Sequence, residues 1–254
     1  MVRGIEKFVD FFKECENEYV LIGGVACSII LNEYDLVFRH TQDFDIVLIV
    51  ELISDKFGRI VWDFISNGKY KIIEKSNGKP VFYRFKNPEN NEYPKEIELF
   101  SRDKRMDLSK YETFMPIHIS DEISSLSAIL LDEAYYDFLK NGIVKINKIN
   151  VLNFTHIIPF KAKAWLDMEN NKKIGKHIDS HKINKHKNDI FRLSQLLNEE
   201  MIININETVR NDMYTFINLM KNEIIDLKNI GVKGSQQEYL KLLENVYINN
   251  SVIK

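Results

Sequence analysis

Unbroken apolar runs, each closed by a polar or glycine-bearing break, set the rhythm of the first half of the chain. Residues 19–22 are a short apolar stretch, residues 25–32 are apolar over a helical length, and residues 46–50 are five aliphatics with no polar alternation. The last pattern is that of a strand buried on both faces. The predicted order is therefore strand, Gly23-Gly24 turn, helix, strand. Upstream, Ile5, Phe8, Val9, Phe11 and Phe12 recur at helical spacing, which predicts an amphipathic helix across 4–16 packed on the first strand. Downstream, 55–67 reads as a helix with Ile60, Val61, Phe64 and Ile65 inward and Asn67-Gly68 as its stop. Residues 70–75 and 80–85 read as strands about a hairpin turn at 76–79, and 96–100 as a short strand beyond a polar loop.

Charges dominate 102–112, predicting a surface excursion, after which 116–120 reads as a strand and 121–131 as a buried strand or helix. A short helix over 133–139 ends at Asn141-Gly142, and 144–152 has β character. The remainder is helical in pattern: 156–168, starting near Pro159, then 206–222 and 236–247, separated by a loop at 231–235. The tail beyond Asn249 is expected to fray. The pattern predicts an α/β (α+β) protein in two parts. Residues 1–120 would form a mixed twisted sheet with flanking helices, and residues 121–254 a mainly helical bundle closing a cleft.

Candidate chemistry gathers on the second long strand. Asp43 and Asp45 are one residue apart, so a strand's period of two sets both carboxylates on one face and Phe44 on the other. Paired carboxylates suit Mg2+, a hard cation that takes oxygen ligands and is commonly shared with substrate phosphates. Glycine at Gly23 and Gly24 lets backbone approach a phosphate, and N–H groups at a helix start favour anions. Ser28, one turn into that helix, could reach a phosphate or bond a backbone carbonyl. Arg39 could clamp a triphosphate or neutralise the neighbouring aspartates, and Thr41 shares its loop; His40 reads as a loop residue without chemistry. Glu96 and Glu98 share one face of their strand and either could supply a third acid; Glu98 is preferred because Glu96 follows Lys95 and could pair with it.

The totals change this picture little. A net charge of −2 and pI of about 6.3 exclude a generic nucleic-acid binder. Residues 161–192 are the exception, with nine Lys or Arg against four Asp or Glu, and His177, His181 and His186 among them. Within them, Lys161 and Lys163 fall on different helix faces, while Lys187 and Asp189 head a later apolar helix. A bland alternative makes Lys185 and Asp189 an i, i+4 surface pair and the lysines a solvated face. Cys15 and Cys27 form no metal-binding or redox spacing, and with no signal peptide or membrane-length apolar run the expectation is a cytoplasmic protein with no membrane partner.

Taken together, Gly23-Gly24-Val25-Ala26 and Arg39-His40-Thr41-Gln42-Asp43-Phe44-Asp45 resemble the signature of the DNA polymerase β nucleotidyltransferase superfamily, and within it the AbiEii/AbiGii toxin group. Lys161-Ala162-Lys163-Ala164-Trp165 and Lys187-Asn188-Asp189-Ile190 are similar to that group's two downstream elements, with residues 170–186 inserted between them. The resemblance implies a nucleotidyltransferase-type sheet and transfer of NMP from an NTP such as ATP to an acceptor hydroxyl. Two Mg2+ ions would be held by Asp43, Asp45 and Glu98, with Lys161 or Lys163, Asp189 and Lys187 serving the triphosphate or the acceptor. It further implies the toxin of a toxin–antitoxin or abortive-infection pair, with a cognate antitoxin, and the basic segment fits an RNA acceptor such as tRNA. An antibiotic-type transferase with a small acceptor, and a non-catalytic binder of the same fold, are the alternatives.

Overall fold

Tyr19–Ile22 (β1), Asp43–Leu48 (β2), Lys71–Ile72 (β3), Phe82–Lys86 (β4), Glu96–Phe100 (β5), Ile143–Ile146 (β6) and Ile149–Leu152 (β7) form one mixed sheet in the order β3-β4-β5-β2-β1-β7-β6. The structure, a computed structural model, describes residues 2–49, 51–72, 82–100, 129–130 and 132–253, with the backbone alone at Ile72, Phe82 and Tyr83. The hairpin turn expected at 76–79, the charged excursion at 102–112 and the segment 116–120 lie outside the described residues, as does 121–128; Ile129 and Leu130 are helical and buried. β2 lies at the centre of the sheet, antiparallel to β1 and parallel to β5. Both its edges are thus paired, as the absence of polar alternation after Asp45 requires.

Cross-strand partners share a face, so the register sorts the side chains. Tyr19, Leu21, Phe44, Ile46 and Ile97 point to one side. Ile5–Phe12 (α1) and Asp55–Gly68 (α3) cover that side with aromatic rings: Phe8 lies edge-on to Tyr19 at 5.1 Å and to Phe44 at 5.5 Å, and Phe64 meets Phe8 at 5.9 Å. Edge-to-face pairs of this kind contribute about 0.5–1.5 kcal/mol each beyond their buried area. Asp43, Asp45, Glu96 and Glu98 occupy the opposite face, with Arg84 and Lys86 beside them on β4.

Several boundaries differ from the sequence expectation, each for a local reason. The helix after β1 is Gly23–Glu33 (α2) and begins at Gly23 itself, so the glycines open the helix rather than precede it. α1 is shorter than expected and is followed by a 3-10 turn at Glu16–Glu18. α3 continues through Gly68 and ends on Lys69 in the left-handed region (φ 51). Gly68 serves packing instead: a Cβ there would lie 2.5 Å from the Tyr70 ring and 2.9 Å from that of Tyr93. The β stretch near 144–152 is two strands, β6 and β7, turned by Asn147 (φ 49) and Lys148 (φ 67), the paired positive φ of a type I′ hairpin.

That hairpin joins the main sheet, where β7 runs parallel to β1. The chain accordingly divides into Met1–Ser127 with Ile143–Asn153, and Ala128–Gly142 with Phe154–Lys254, rather than at a single cut near residue 120. The second unit is helical: Glu133–Asn141 (α4), Phe154–Lys173 (α5), Ser180–Ser194 (α6), Glu207–Met220 (α7) and Gln236–Glu244 (α8). Side chains of Asp132, Asp179, Asn206 and Ser235 cap the starts of α4, α6, α7 and α8 by accepting backbone N–H groups. α5 begins five residues before Pro159, which therefore sits inside the helix with no N–H for the Thr155 carbonyl. The buried Tyr247 hydroxyl donates to that carbonyl at 2.8 Å and makes the interior proline tolerable. The expected fraying tail is paired: Val252–Ile253 (β9) runs parallel to Asn204–Ile205 (β8). Among the described residues no helix is long and apolar enough to cross a membrane.

Candidate functional site

β1 ends where β2's aspartates begin, because Ile22 pairs with Asp45. Gly23 follows at once with φ +65, and a Cβ on it would overlap the Asp45 carboxylate. A Cβ on Gly24 would lie 2.6 Å from Thr41 Oγ1 and 3.5 Å from the Arg39 guanidinium. The diglycine is thus required twice, once for a left-handed backbone and once for contact. It brings Gly23, Gly24, Arg39, Thr41 and Asp45 together at one end of the sheet. The Arg39 guanidinium also sits over the Phe38 ring, 4.9 Å from its centre.

The parallel pairing of β2 with β5 sets Asp43 beside Glu96 and Asp45 beside Glu98. Glu98 is half-buried, and this loss of solvent together with the adjacent Asp45 charge pushes its carboxyl up to about 8. The Arg84 guanidinium works against that rise: its Nε donates to Glu98 Oε1 at 2.6 Å, and a second nitrogen contacts the same oxygen. Arg84 also reaches Glu96 at 3.0 Å, and Lys86 Nζ lies 2.8 Å from the same Glu96 oxygen. The pairing of Glu96 with Lys95 expected from sequence is replaced by this cross-strand one, because Lys86 and not Lys95 shares Glu96's face. Arg84 is the residue that reading the sequence missed. Its signal is the complementarity of Arg84-x-Lys86 with Glu96-x-Glu98, which antiparallel pairing aligns charge for charge.

The donor chemistry of this face suits a divalent cation. Asp45 and Glu98 are like charges held close by the backbone ladder, a pair whose repulsion a cation relieves, and Asp43 lies at the exposed end of the same row. Among the described residues no group of three His, Cys, Asp or Glu side chains is placed to hold a metal ion as the side chains stand, and Arg84 is in contact with Glu98. Ser28 stands apart from this group. It lines a cavity between α1 and α2 that neither Gly23 and Gly24 nor the carboxylates of β2 and β5 line.

Lys161, Lys163, Lys187 and Asp189 belong to the second unit. Asp189 is fully buried and accepts from Lys161 Nζ at 2.9 Å through one oxygen and from Arg192 at 3.0 Å through the other. Lys161 is itself buried, and buried Lys187 donates to Glu223 at 2.6 Å. Lys163 lies 3.2 Å from Asp167 and 3.7 Å from Asp212, whose carboxylate also accepts from the Tyr135 hydroxyl. The solvated lysine face of the bland reading is thus not what forms at these positions. Asp189 takes Lys161 and Arg192 as the partners shown, across 28 residues and one helix turn. Of the basic segment, Lys172, Lys173, Lys176 and Lys185 remain exposed.

No protein-family model matches the chain, and no curated protein matches it. Among solved structures, one similar chain is an antigenic nucleotidyltransferase-like protein from Paracoccidioides brasiliensis, with a TM-score of 0.45 and 13% identity over 95% of this chain and 94% of that one. A likeness at that level leaves the assignment of function to the site's own geometry.

Proposed function

We propose that this protein is a nucleotidyltransferase that uses Mg2+ to move a nucleoside monophosphate from an NTP to an acceptor hydroxyl, releasing pyrophosphate. The observation that carries the reading is the contact of Gly23 with Asp45, which sets a helix-opening diglycine directly against a row of carboxylates. Asp43, Asp45 and Glu98 would hold the metal. Bound there, Mg2+ would lower the acceptor hydroxyl's pKa and offset charge on the leaving pyrophosphate. Gly23 and Gly24 let backbone N–H groups at the start of α2 approach the phosphates. Arg39, beside Gly24, adds a fixed cation with paired donors for them. In the metal-free chain burial and the Asp45 charge push Glu98 up to about 8, so a cation bound beside Asp45 would favour release of the Glu98 proton and its entry into the site as a ligand.

For the acceptor, two readings follow from different observations. The exposed Lys172, Lys173, Lys176 and Lys185 favour an RNA such as tRNA, and with it the role of a toxin in a toxin–antitoxin or abortive-infection pair. Burial of Lys161 and Lys187 removes two charges from that basic surface and favours a small hydroxylated acceptor.

Incubation with each labelled NTP, Mg2+ and total RNA tests both. Label in RNA supports the first acceptor. Pyrophosphate release only when small polyols or aminoglycosides are supplied supports the second. No labelled product and no pyrophosphate with any acceptor would reduce the protein to a binder, and transfer undiminished in Asp43→Asn would remove the metal assignment.

A further inference from the structure

A cavity lies in the first unit, lined by none of Asp43, Asp45, Glu96 and Glu98. α1 and α2 line an open cleft of about 430 Å3 that Ile149 of β7 also lines, within the range of small-ligand pockets. Each helix presents one stripe to it. On α1 the stripe is Ile5 and Val9 with Glu6 and Asp10; on α2 it includes Ile29 and Glu33. Positions i, i+1, i+4 and i+5 of a helix lie side by side, so on α1 an aliphatic row runs next to an acidic one. The aliphatic rows are half-exposed in the cavity while Ile149 is buried. Glu6 and Asp10 are exposed at its rim; Glu33, also at the rim, accepts from the Asn147 amide at 2.8 Å. Among the described residues that line the cavity there is no lysine, arginine or histidine, and the ionisable ones are the carboxylic acids Glu6, Asp10 and Glu33.

We infer that this cavity binds a linear aliphatic polyamine, its methylenes on Ile5, Val9 and Ile29 and its ammonium groups on Glu6, Asp10 and Glu33. The two features demand a ligand that is itself divided in this way. Apolar walls reward a hydrocarbon body, about 25 cal/mol per Å2 removed from water. Carboxylates one helical turn apart, with Cβ atoms about 5–6 Å from each other, reward cations repeated at short intervals along it. A metal ion would use only the acids, and a neutral alcohol could hydrogen-bond to the acids, Ser28 or Asn32 but would bring no charge to offset the three carboxylates. The site is independent of the transferase reading, but α2 joins them, since the helix that lines the cavity opens with Gly23 and Gly24.

Titration calorimetry of the full chain with spermidine tests the assignment, with 1,8-octanediol and Mg2+ as the two half-matched probes. Saturable one-to-one binding of spermidine is expected. It should weaken at least tenfold in the Glu6→Gln/Asp10→Asn double variant, whose changes are on exposed positions and leave the core intact, and comparably in the cavity-filling Ile29→Phe. Equal binding of octanediol would overturn the role of the acids. Competition by Mg2+ at equal concentration would reduce the site to counterion attraction, and no saturable spermidine binding, or binding indifferent to both variants, would overturn the proposal outright.

Discussion

The two units each hold a cluster of opposite charges, and the clusters are built on opposite terms. In the second unit Asp189 is fully buried, and the two cations shown on it, Lys161 and Arg192, each take one of its oxygens. In the first, four carboxylates share a strand face that remains part-exposed, Arg84 and Lys86 are the cations shown beside them, and Glu98 is pushed towards its neutral form. A buried carboxylate that has a cation on each oxygen is satisfied within the fold. A part-open cluster in which like charges are held together is poised to take up a cation or a proton. That difference, more than the identity of the residues, is why the proposed chemistry rests on Asp43, Asp45 and Glu98 and not on Lys161 and Asp189.

Breaking the contrast from the structural side should give the largest effect. Asp189→Asn leaves Lys161 buried without its counter-charge, and the expected loss is about 3–5 kcal/mol of unfolding free energy, read from the shift of the urea midpoint. Glu98→Gln, by contrast, keeps an acceptor for Arg84 where the folded chain already favours a neutral carboxyl, and should leave the neutral-pH midpoint unchanged. Equal losses in the two variants would erase the distinction.

Gly23→Ala comes next, since a left-handed alanine alone is worth about 1–2 kcal/mol and its Cβ must displace the Asp45 carboxylate. Nucleotidyl transfer should fall by about 100-fold, the usual consequence of moving a reacting group by an ångström, and unaltered transfer would dissociate the diglycine from the site.

Tyr247→Phe isolates a purely structural hydrogen bond. With no donor left for the Thr155 carbonyl, about 1–3 kcal/mol of stability should be lost in thermal or urea unfolding while transfer kinetics stay the same.

The smallest effect is the most diagnostic of the open cluster. Burial and then the Asp45 charge push Glu98 in the folded chain up from its ordinary 4.5 to about 8, so between these values the folded state holds a proton the unfolded state has released. Stability from this group therefore declines as pH rises from about 5 to 8. His156 has the opposite sign: burial lowers it from 6.5 to about 4, so its contribution grows as pH rises through that range and is complete by 6.5. Thermal midpoints between pH 6.5 and 8 should fall in the unaltered chain and fall less in Glu98→Gln.

Much of the first unit was legible because its elements are set by local pattern. The apolar run after Asp45 announced a central strand, and the spacing of Phe8 and Phe12 announced the helix that covers it. The carboxylate face followed from a period of two. What escaped were features decided by pairing at long range. Arg84 became visible only once β4 was aligned on β5. The hairpin at β6–β7 returned to the first sheet because β7 found β1, which no local signal in 143–152 encodes. Lys161 and Asp189 were picked out by resemblance, whereas their burial arises from helix packing that brings α5 against α6 across 28 residues. The short β8–β9 ladder, two residues on each side, is below the length at which a pattern can be read.

The most direct test is a Mn2+ titration followed by electron paramagnetic resonance, with a non-hydrolysable NTP analogue present, on the unaltered chain and on Asp45→Asn. Bound Mn2+ in the unaltered protein, tightening as pH is raised from 6.5 to 8 and weakened at least tenfold by Asp45→Asn, is the predicted result. Equal Mn2+ affinity in the two proteins at every pH would contradict it.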